Sequence, residues 1–447
     1  MCDRVQCARI AMMDKILQTI FTRLVSRGAL TVITARGTTL TFGDGTGEEV
    51  RVRFTDTRAE LAAILDPHLY LGELLMDGRF VVERGTIYEF LELVLRETGD
   101  HTKVLHTHII NRIRHLARGL LGGNNPLRSR RNVAHHYDLD RRLYRLFLDK
   151  DFQYSCAYFE RPDCTLEEAQ LAKKRLVTAK LAIKPDSRVL DIGSGWGGLA
   201  LYMKEIAGAG EVLGVTLSIE QLAAARERAR ERGLEAGVTF ELQDYRALEG
   251  TFDRIVSVGM FEHVGPRYYQ TFFDKCHQLL APDGLMLLHT IGHLDGPWDP
   301  NPWLDRYIFP GGHLPALSQM ITAIERSGLI ITDVECLRLH YAKTLAEWRR
   351  RFLARRNEVL ALYDERFCRM WEFYLASCEA SFRYGTLCVF QVQCAHRLDT
   401  LPITRDYITA RISDLRNTEI RRGVTPSLRG KVREAGVQSI VRRRNHG

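Results

Sequence analysis

The sequence predicts an α/β protein: a doubly wound sheet preceded by a smaller α+β domain. Three observations carry that prediction. Between residues 188 and 292, short apolar runs (RVLDIG, EVLGVTL, VTFELQD, DRIVSVG, LMLLHTIG) alternate with helical patterns such as IEQLAAARERARERG, and strands alternating with helices build a parallel sheet covered on both faces. Four glycines (Gly193, Gly195, Gly197 and Gly198) fall where the first run ends and a helix begins, the place at which such folds bring backbone against a ligand. Before residue 100 the pattern differs: LTVITARGTTLTF (30–42) and EVRVRF (49–54) alternate like two strands joined by the turn chemistry of GDGTG.

In order along the chain, the small α+β domain is expected over 1–100, a basic amphipathic helix and linker over 101–134, the main α/β domain over 135–400 and a loosely ordered basic tail over 401–447. The second segment carries Lys103, Arg112, Arg114, Arg118, Arg128, Arg130 and Arg131 and no acid before residue 132, with Leu105, Ile109, Ile113, Leu116 and Leu120 at helical spacing. A domain-connecting helix accounts for it, as does contact with a membrane surface or a partner. The tail ends VRRRNHG and lacks periodic apolar residues. In TLAEWRRRFLARR, Thr344 and Glu347 read as a capping box at a helix start.

Composition bounds the function. With 447 residues, 45% hydrophobic and 26% charged, the chain is globular, and no run of about 18 uncharged apolar residues suggests a membrane span. Asp3, Arg4, Arg9 and Asp14 interrupt the apolar region a secretory signal needs. Ten cysteines without CxxC or zinc-like His/Cys spacing read as reduced, buried side chains and favour the cytoplasm. A net charge of +8 favours polyanionic partners, nucleic acid or an anionic membrane surface. A metal site is not expected: His135 and His136 on a strand would point to opposite faces, without a carboxylate at ligand spacing.

The glycine loop implies a nucleotide-like ligand, although a tight strand-to-helix turn also explains the spacing. The pattern is GxGxGG and not the dinucleotide GxGxxG. Asp191 at the strand end suits a cationic or amino-bearing group. The second strand ends GVTLSIEQ, placing Thr216 where a dinucleotide site has an acid and Gln221 one helical turn on, so neutral groups would hold a ribose and NAD is disfavoured.

VLDIGSGWGG, VTLSIEQ, MFEHVG and YIFPGG, with the upstream AHHYDLD and YSCAYF, together resemble the cyclopropane-fatty-acyl-phospholipid synthases and the related mycolic acid cyclopropane synthases. The resemblance spans about residues 130 to 395, and the additional N-terminal domain is similar to the phospholipid-modifying members. It implies a Rossmann-like class I methyltransferase sheet, S-adenosylmethionine as cofactor, and transfer of its methyl group to a cis double bond in an unsaturated phospholipid acyl chain. The addition leaves a carbocation, which a bound bicarbonate deprotonates to close a cyclopropane ring. The enzyme would work in the cytoplasm, peripherally attached to the inner, anionic face of the membrane; a homodimer stays open, and nucleic acid is not expected as a partner.

Residue by residue, the resemblance implies bicarbonate ligands at Cys156, Glu262, His289, the backbone of Ile291, and Tyr341, with Cys378 a further active-site cysteine. A carboxylate beside an anion needs a shared proton or a cation, and His289 is expected to supply the balance; Tyr341 and Phe261 offer π faces to the cation. Cofactor contacts fall on Tyr137, which follows the histidine pair in a segment closing over the site, on Tyr154 and Ser155 near the methionine end, and on Asp191, Gly193, Gly195, Trp196 and Gly197 in the loop. Thr216 and Gln221 would meet the ribose, and Asp244, Tyr245 and Arg246 the adenine. Packing alone would also account for Cys378 on an apolar helix face, for Cys156 and His289 in a core, and for Tyr245 on a surface. Two other outcomes fit the same residues: alkene methylation without ring closure, giving a methylene or methyl-branched chain, and a lapsed homologue that binds lipid or cofactor only. A nucleic-acid methyltransferase would carry a polar catalytic motif such as Asn/Asp-Pro-Pro-Tyr/Phe where this chain reads MFEHVG.

Overall fold

A computed structural model describes residues 4–97 and 140–424, and two sheets organise them. The smaller, in order β2-β1-β3-β4, comprises β1 (Ala29–Ile33), β2 (Thr39–Phe42), β3 (Glu49–Phe54) and β4 (Phe80–Arg84). It is accompanied by α1 (Arg4–Leu24), α2 (Thr57–Leu65), α3 (Pro67–Met76) and α4 (Ile87–Leu95). The stretch 30–42, expected as one strand, is a hairpin: Leu30 pairs with Phe42 and Ile33 with Thr39. Gly37, at φ +86°, makes the reversal. Alternation survives such a turn because both arms present every second residue to the same face, so the pattern alone hid it.

The larger sheet has the order β10-β11-β9-β8-β5-β6-β7. Its strands are β5 (Arg188–Ile192), β6 (Glu211–Thr216), β7 (Val238–Leu242), β8 (Phe252–Val258), β9 (Leu280–His293), β10 (Ile330–Cys336) and β11 (Leu387–Ala395). β5 pairs in parallel with β6 on one side and β8 on the other, so the strand order reverses between β5 and β8 and a crevice opens at their carboxyl ends. β11 departs from the parallel expectation: it runs antiparallel to β9 and β10 and starts with Leu387 opposite His293, at the carboxyl end of β9. The chain leaves β10 at that same edge, builds a helical layer there and re-enters where it left, so it can only run back.

The remaining helices are α5 (Arg141–Phe147), α6 (Leu166–Lys180), α7 (Gly198–Glu205), α8 (Ile219–Glu231), α9 (Tyr269–Leu279), α10 (Pro302–Tyr307), α11 (Leu317–Ser327), α12 (His340–Ala354), α13 (Arg356–Leu362), α14 (Glu365–Tyr384) and α15 (Asp406–Arg421). Local chemistry starts several of them. Thr165 and Glu168 form a reciprocal capping box on α6, and Ser218 caps α8 through the Gln221 N–H. The box expected at Thr344 is absent, because α12 begins four residues earlier, at His340. Thr344 is instead interior, its hydroxyl donating to the His340 carbonyl at 2.8 Å and accepting from the Ala157 N–H at 3.1 Å.

The two sheets share a core through α14. At Gly72 of α3 a Cβ would lie 2.4 Å from the Trp303 indole nitrogen and 2.7 Å from the Phe373 ring, so only glycine permits this approach. Polar contacts rivet the same seam: Arg366 to Asp77 at 2.9 Å, Tyr307 to Glu73 at 2.8 Å, and Tyr384 to Glu92.

The tail expected from residue 401 is a helix as far as residue 421. α15 buries Ile408 and Leu415 against Leu176, Ala179 and Tyr202, a stripe too narrow to stand out among its arginines. Its Glu419, fully buried, takes two hydrogen bonds from Arg175, at 3.0 and 2.7 Å, and one from the Tyr202 hydroxyl at 2.6 Å. The expected basic helix of 101–134 and the chain beyond 424 lie outside the described residues. Among the described residues no helix is long and apolar enough to cross a membrane.

Breaking a buried, hydrogen-bonded ion pair leaves an uncompensated charge and typically costs about 3–5 kcal/mol. Glu419→Ala should therefore lower the stability of the whole domain by about 3 kcal/mol in denaturant unfolding, with α6 and α7 losing amide-exchange protection together.

Candidate active site

Two cavities meet at the carboxyl edge of the larger sheet. The first lies over the glycine loop. Gly193 and Gly197 adopt φ of +82° and +79°, and a Cβ would fall 2.7 Å from Met260 at the first and 2.7 Å from Phe240 at the second. Both conformation and space therefore demand glycine. Gly193, Gly195 and Trp196 line this cavity, while Gly197 stands just behind it as the N-cap of α7.

Polar groups surround the loop. Asp191 ends β5, is 2% exposed, and leaves Oδ2 without a hydrogen-bond partner. Burial pushes its carboxyl up to about 7, against the pull of the Lys173 charge. A buried oxygen left unpaired calls for a donor from a ligand. At the end of β6, the Thr216 hydroxyl donates to Gln221 Oε1 at 3.0 Å, leaving the Gln221 amide N–H groups as donors on the cavity wall. Asp244 and Arg246 form an ion pair at 2.6 Å beside the nearly buried Tyr245 ring, which packs edge-on against Phe272. All of these line the first cavity. Tyr137 lies outside the described residues, as do His135 and His136.

Tyr154, Ser155, Gly259 and His263 line both cavities and so form the wall between them. The wall hangs on α6: the Gln170 side-chain amide donates to the Ser155 carbonyl at 2.9 Å and to the Gln153 carbonyl at 3.2 Å. Gly259 is tied to the neighbouring strand through its N–H, which donates to the His289 carbonyl at 2.9 Å. Burial pushes the His263 imidazole down to about 4, so it is neutral. Sequence reasoning missed Gln170 and His263. The signal for Gln170 was a helix whose polar residues, Gln170, Lys173, Lys174, Arg175 and Lys180 among them, are buried; nothing in its apolar periodicity displayed that.

The second cavity holds about 800 Å³, near the upper end for ligand sites. Cys156, Glu262, His289, Ile291, Tyr341 and Cys378 all line it, and the Ile291 N–H meets Glu262 within it. The N-terminal unit contributes apolar residues to the lining, including Leu17 and Phe21 of α1, Phe54, Phe80 and Phe90, and the loop after β9 and helix α10 add polar ones, Asp299, Asn301 and Asp305. No lysine or arginine lines this cavity among the described residues.

Burial shifts Glu262, His289 and Cys156 toward their neutral forms. Glu262 Oε1 accepts the Ile291 N–H at 2.8 Å while Oε2 has no partner, and burial pushes the carboxyl up to about 7. Burial, with the charges of Lys173 and Lys180, pushes His289 down to about 3. Its Nδ1 faces the Gln391 amide nitrogen at 3.2 Å, and Nε2 has no partner. With the amide donating in that orientation, Nε2 carries the proton and is a donor toward the cavity. The Cys156 thiol is buried and pushed far above its usual range, so it stays protonated and donates weakly to the Ala157 carbonyl at 3.3 Å. Cys378 is half-buried on α14. The Tyr341 ring packs 4.7 Å from that of Phe382. Phe261 lines neither cavity: it is fully buried, with Tyr269 stacked at 4.6 Å and Phe272 at 5.0 Å, because the short helical turn 261–263 sends Phe261 and Glu262 to opposite sides. Among the described residues no cluster of three metal-binding side chains occurs.

The family model of mycolic acid cyclopropane synthetase matches residues 125–392. The chain is 42% identical to the cyclopropane-fatty-acyl-phospholipid synthase of Escherichia coli (strain K12) over 324 residues, 72% of this chain and 82% of that protein. It is 41% identical to a probable fatty acid methyltransferase of Pseudomonas putida over 267 residues, 58% of this chain and 68% of that protein. Among solved structures, mycolic acid cyclopropane synthase CmaA1 complexed with SAH and CTAB superimposes with a TM-score of 0.56 at 36% identity, covering 59% of this chain and 97% of that one.

The neutral state of Glu262 yields a stability test. In the unfolded chain its carboxyl titrates near the ordinary 4.5, in the folded chain near 7. As pH rises through that window the unfolded state releases its proton first, so the fold loses stability and the loss is complete above 7. Glu262→Gln removes the loss. Its stability relative to wild type should rise by roughly 3 kcal/mol between pH 4.5 and 7 and stay flat on either side, as read from denaturant unfolding at pH 4, 6 and 8.

Proposed function

The chain belongs to the mycolic acid cyclopropane synthetase family, and we propose that it methylates a cis double bond of an unsaturated phospholipid acyl chain at the expense of S-adenosylmethionine and closes a cyclopropane ring there. The observation that carries this reading is the common wall: a polar, glycine-floored cavity and a long apolar one abut at Tyr154, Ser155, Gly259 and His263. S-adenosylmethionine supplies an electrophilic methyl group when bound over the loop. Asp191 would accept from its ammonium, Gln221 and Thr216 would meet the ribose, and Tyr245, steadied by the Asp244–Arg246 pair, would offer a face to the adenine.

An alkene is a weak nucleophile, so most of the rate must come from holding it close, aligned and dry. The apolar walls from both units do this. As the alkene's π electrons form the new carbon–carbon bond, the donor's sulfur–methyl bond would break with its electron pair left on sulfur, giving S-adenosylhomocysteine, and positive charge would develop on the acyl chain. Among the described residues no lysine or arginine lines the cavity to add repulsion, and the Tyr341 ring would offer its π face. Ring closure then needs a base for one proton of the added carbon. Bicarbonate would supply that base, and the unpartnered Glu262 Oε2 and His289 Nε2, with the Cys156 thiol and the Tyr341 hydroxyl, are the groups that would hold it. A protonated Glu262 and a neutral His289 both donate, which suits an oxyanion. Ile291 would act at one remove, since its N–H fixes Glu262. Cys378 lines the same region and would shape the acyl path.

Access from a bilayer is consistent with the rim. Leu61 and Leu65 are exposed on α2, whose Ala63 and Ile64 line the apolar cavity, and Leu294 and Trp298 are exposed on the loop after β9. Such a rim, with a net charge of +8, fits peripheral attachment to an anionic membrane on its cytoplasmic side. A second reading, methylation without ring closure, is favoured by the likeness to the probable fatty acid methyltransferase.

Incubation with methyl-labelled S-adenosylmethionine and vesicles of unsaturated phospholipid should transfer label to lipid, and proton NMR of the product should show upfield cyclopropyl signals; label without those signals selects the second reading. Glu262→Gln should lower turnover by two orders of magnitude or more while leaving the affinity for S-adenosylhomocysteine within about twofold, because it alters the base site and not the adenosine cavity. Equal loss of both would count against the assignment.

A further inference from the structure

We propose that Lys173 is a positioning residue that fixes the Ser155 hydroxyl as a hydrogen-bond donor toward a carboxylate-type oxyanion where the two cavities meet. The inference rests on the reaction proposed above and adds to it the residue that polarises the wall. Lys173 is fully buried on α6 and lines neither cavity. Its ammonium stands 2.9 Å from Ser155 Oγ and 2.5 Å from Gln153 Oε1. An ammonium has three donors and no acceptor, so both oxygens must accept from it. The Ser155 hydroxyl proton is therefore left to point elsewhere, and Ser155 lies on the wall that both cavities share.

Neighbouring groups are themselves engaged. The Ser155 carbonyl is already taken by Gln170. The Gln153 amide is turned inward, its nitrogen donating to Asp151 Oδ2 at 3.1 Å. Asp151 itself is engaged by Lys174 and Arg228, so it does not neutralise Lys173 alone. Burial lowers the Lys173 ammonium to about 8, with Asp149 and Asp151 opposing the fall, and at neutral pH it remains a cation. Its charge reaches both sides of the wall: burial dominates the shifts of Asp191, Cys156 and His289, and the Lys173 charge opposes the rise of the first two and adds to the fall of the third. A fixed cation behind a serine whose proton faces a junction is an arrangement for an oxyanion. Two oxyanions of the proposed reaction come near: the carboxylate of the methyl donor's amino-acid end, and bicarbonate.

The test compares wild type, Lys173→Met and Ser155→Ala in the full chain. Calorimetry measures S-adenosylhomocysteine and its decarboxylated analogue, S-adenosyl-3-thiopropylamine, and turnover is titrated with bicarbonate. The expected result is a loss of tenfold or more for S-adenosylhomocysteine in both variants, with the decarboxylated analogue held within twofold; a purely structural lysine would weaken both ligands alike. If both variants instead retain S-adenosylhomocysteine affinity and need tenfold more bicarbonate for half-maximal turnover, the proposal stands with bicarbonate as the oxyanion. Equal weakening of both nucleosides by Lys173→Met, or unchanged binding and bicarbonate dependence in Ser155→Ala, overturns it. Should Lys173→Met not fold, Ser155→Ala decides by the same criteria. Wild type that binds S-adenosylhomocysteine and modifies lipid leaves the parent reading intact whatever the variants do, whereas wild type that does neither removes both.

Discussion

Methyl transfer requires the donor carbon and the accepting carbons to approach to about 3–3.5 Å in line, and yet a zwitterionic nucleoside and an acyl chain cannot share one solvent environment. The partition formed by Tyr154, Ser155, Gly259 and His263 reconciles the two demands, and the architecture around it is arranged to keep that partition thin and rigid. Gly259 contributes no side chain and is hydrogen-bonded to the end of β9. Tyr154 is clamped from behind by Trp348, at 5.2 Å between ring centroids, and its hydroxyl meets that of Tyr374 at 2.8 Å. Ser155 is held through its carbonyl and its hydroxyl by α6. The C-terminal helix α15 in turn braces α6 and α7 through the buried Glu419, so a segment remote from both cavities stiffens the wall.

Electrostatics divides the two compartments further. In the apolar one, Glu262, His289 and Cys156 are all buried, and desolvation shifts each toward its neutral form. Neutral donors can bind a small anion without a permanent positive charge beside the acyl chain. The charged groups instead lie behind the wall, where Asp149, Asp151, Lys173, Lys174 and Arg228 form a buried network anchored to α6 and α8. Placing the charge one layer back lets it bias hydrogen-bond direction without exposing it to the carbocation. The second compartment also explains why the N-terminal unit is fused by a shared core: without Phe54, Phe80 and Phe90 and α1, the cavity would be open on that side.

Much of this was legible in the sequence because it depends on short-range chemistry. The alternating strands of the larger sheet, the glycine loop with Asp191, and the neutral Thr216–Gln221 pair follow from spacing and residue type. What escaped the sequence depends on long-range packing. The hairpin within 30–42 keeps its alternation through the turn; β11 reverses because of where the preceding helices return it; Thr344 looks like a cap until the helix start is known. Phe261 and Glu262 are adjacent, and only the turn that carries them decides which one faces the cavity. Lys173 resembles any lysine on a helix until its burial is seen, and the apolar residues of the N-terminal unit do not announce that they line a cavity rather than fill one.

The most direct test of the shared wall is a crystal structure of the protein with S-adenosylhomocysteine and an unsaturated phospholipid bound together. The account predicts the sulfur at the junction of Tyr154, Ser155, Gly259 and His263, facing the double bond of an acyl chain that continues past Phe54 and Phe90 into the N-terminal unit. A sulfur pointing away from that wall, or an acyl chain bound outside the apolar cavity, would contradict it.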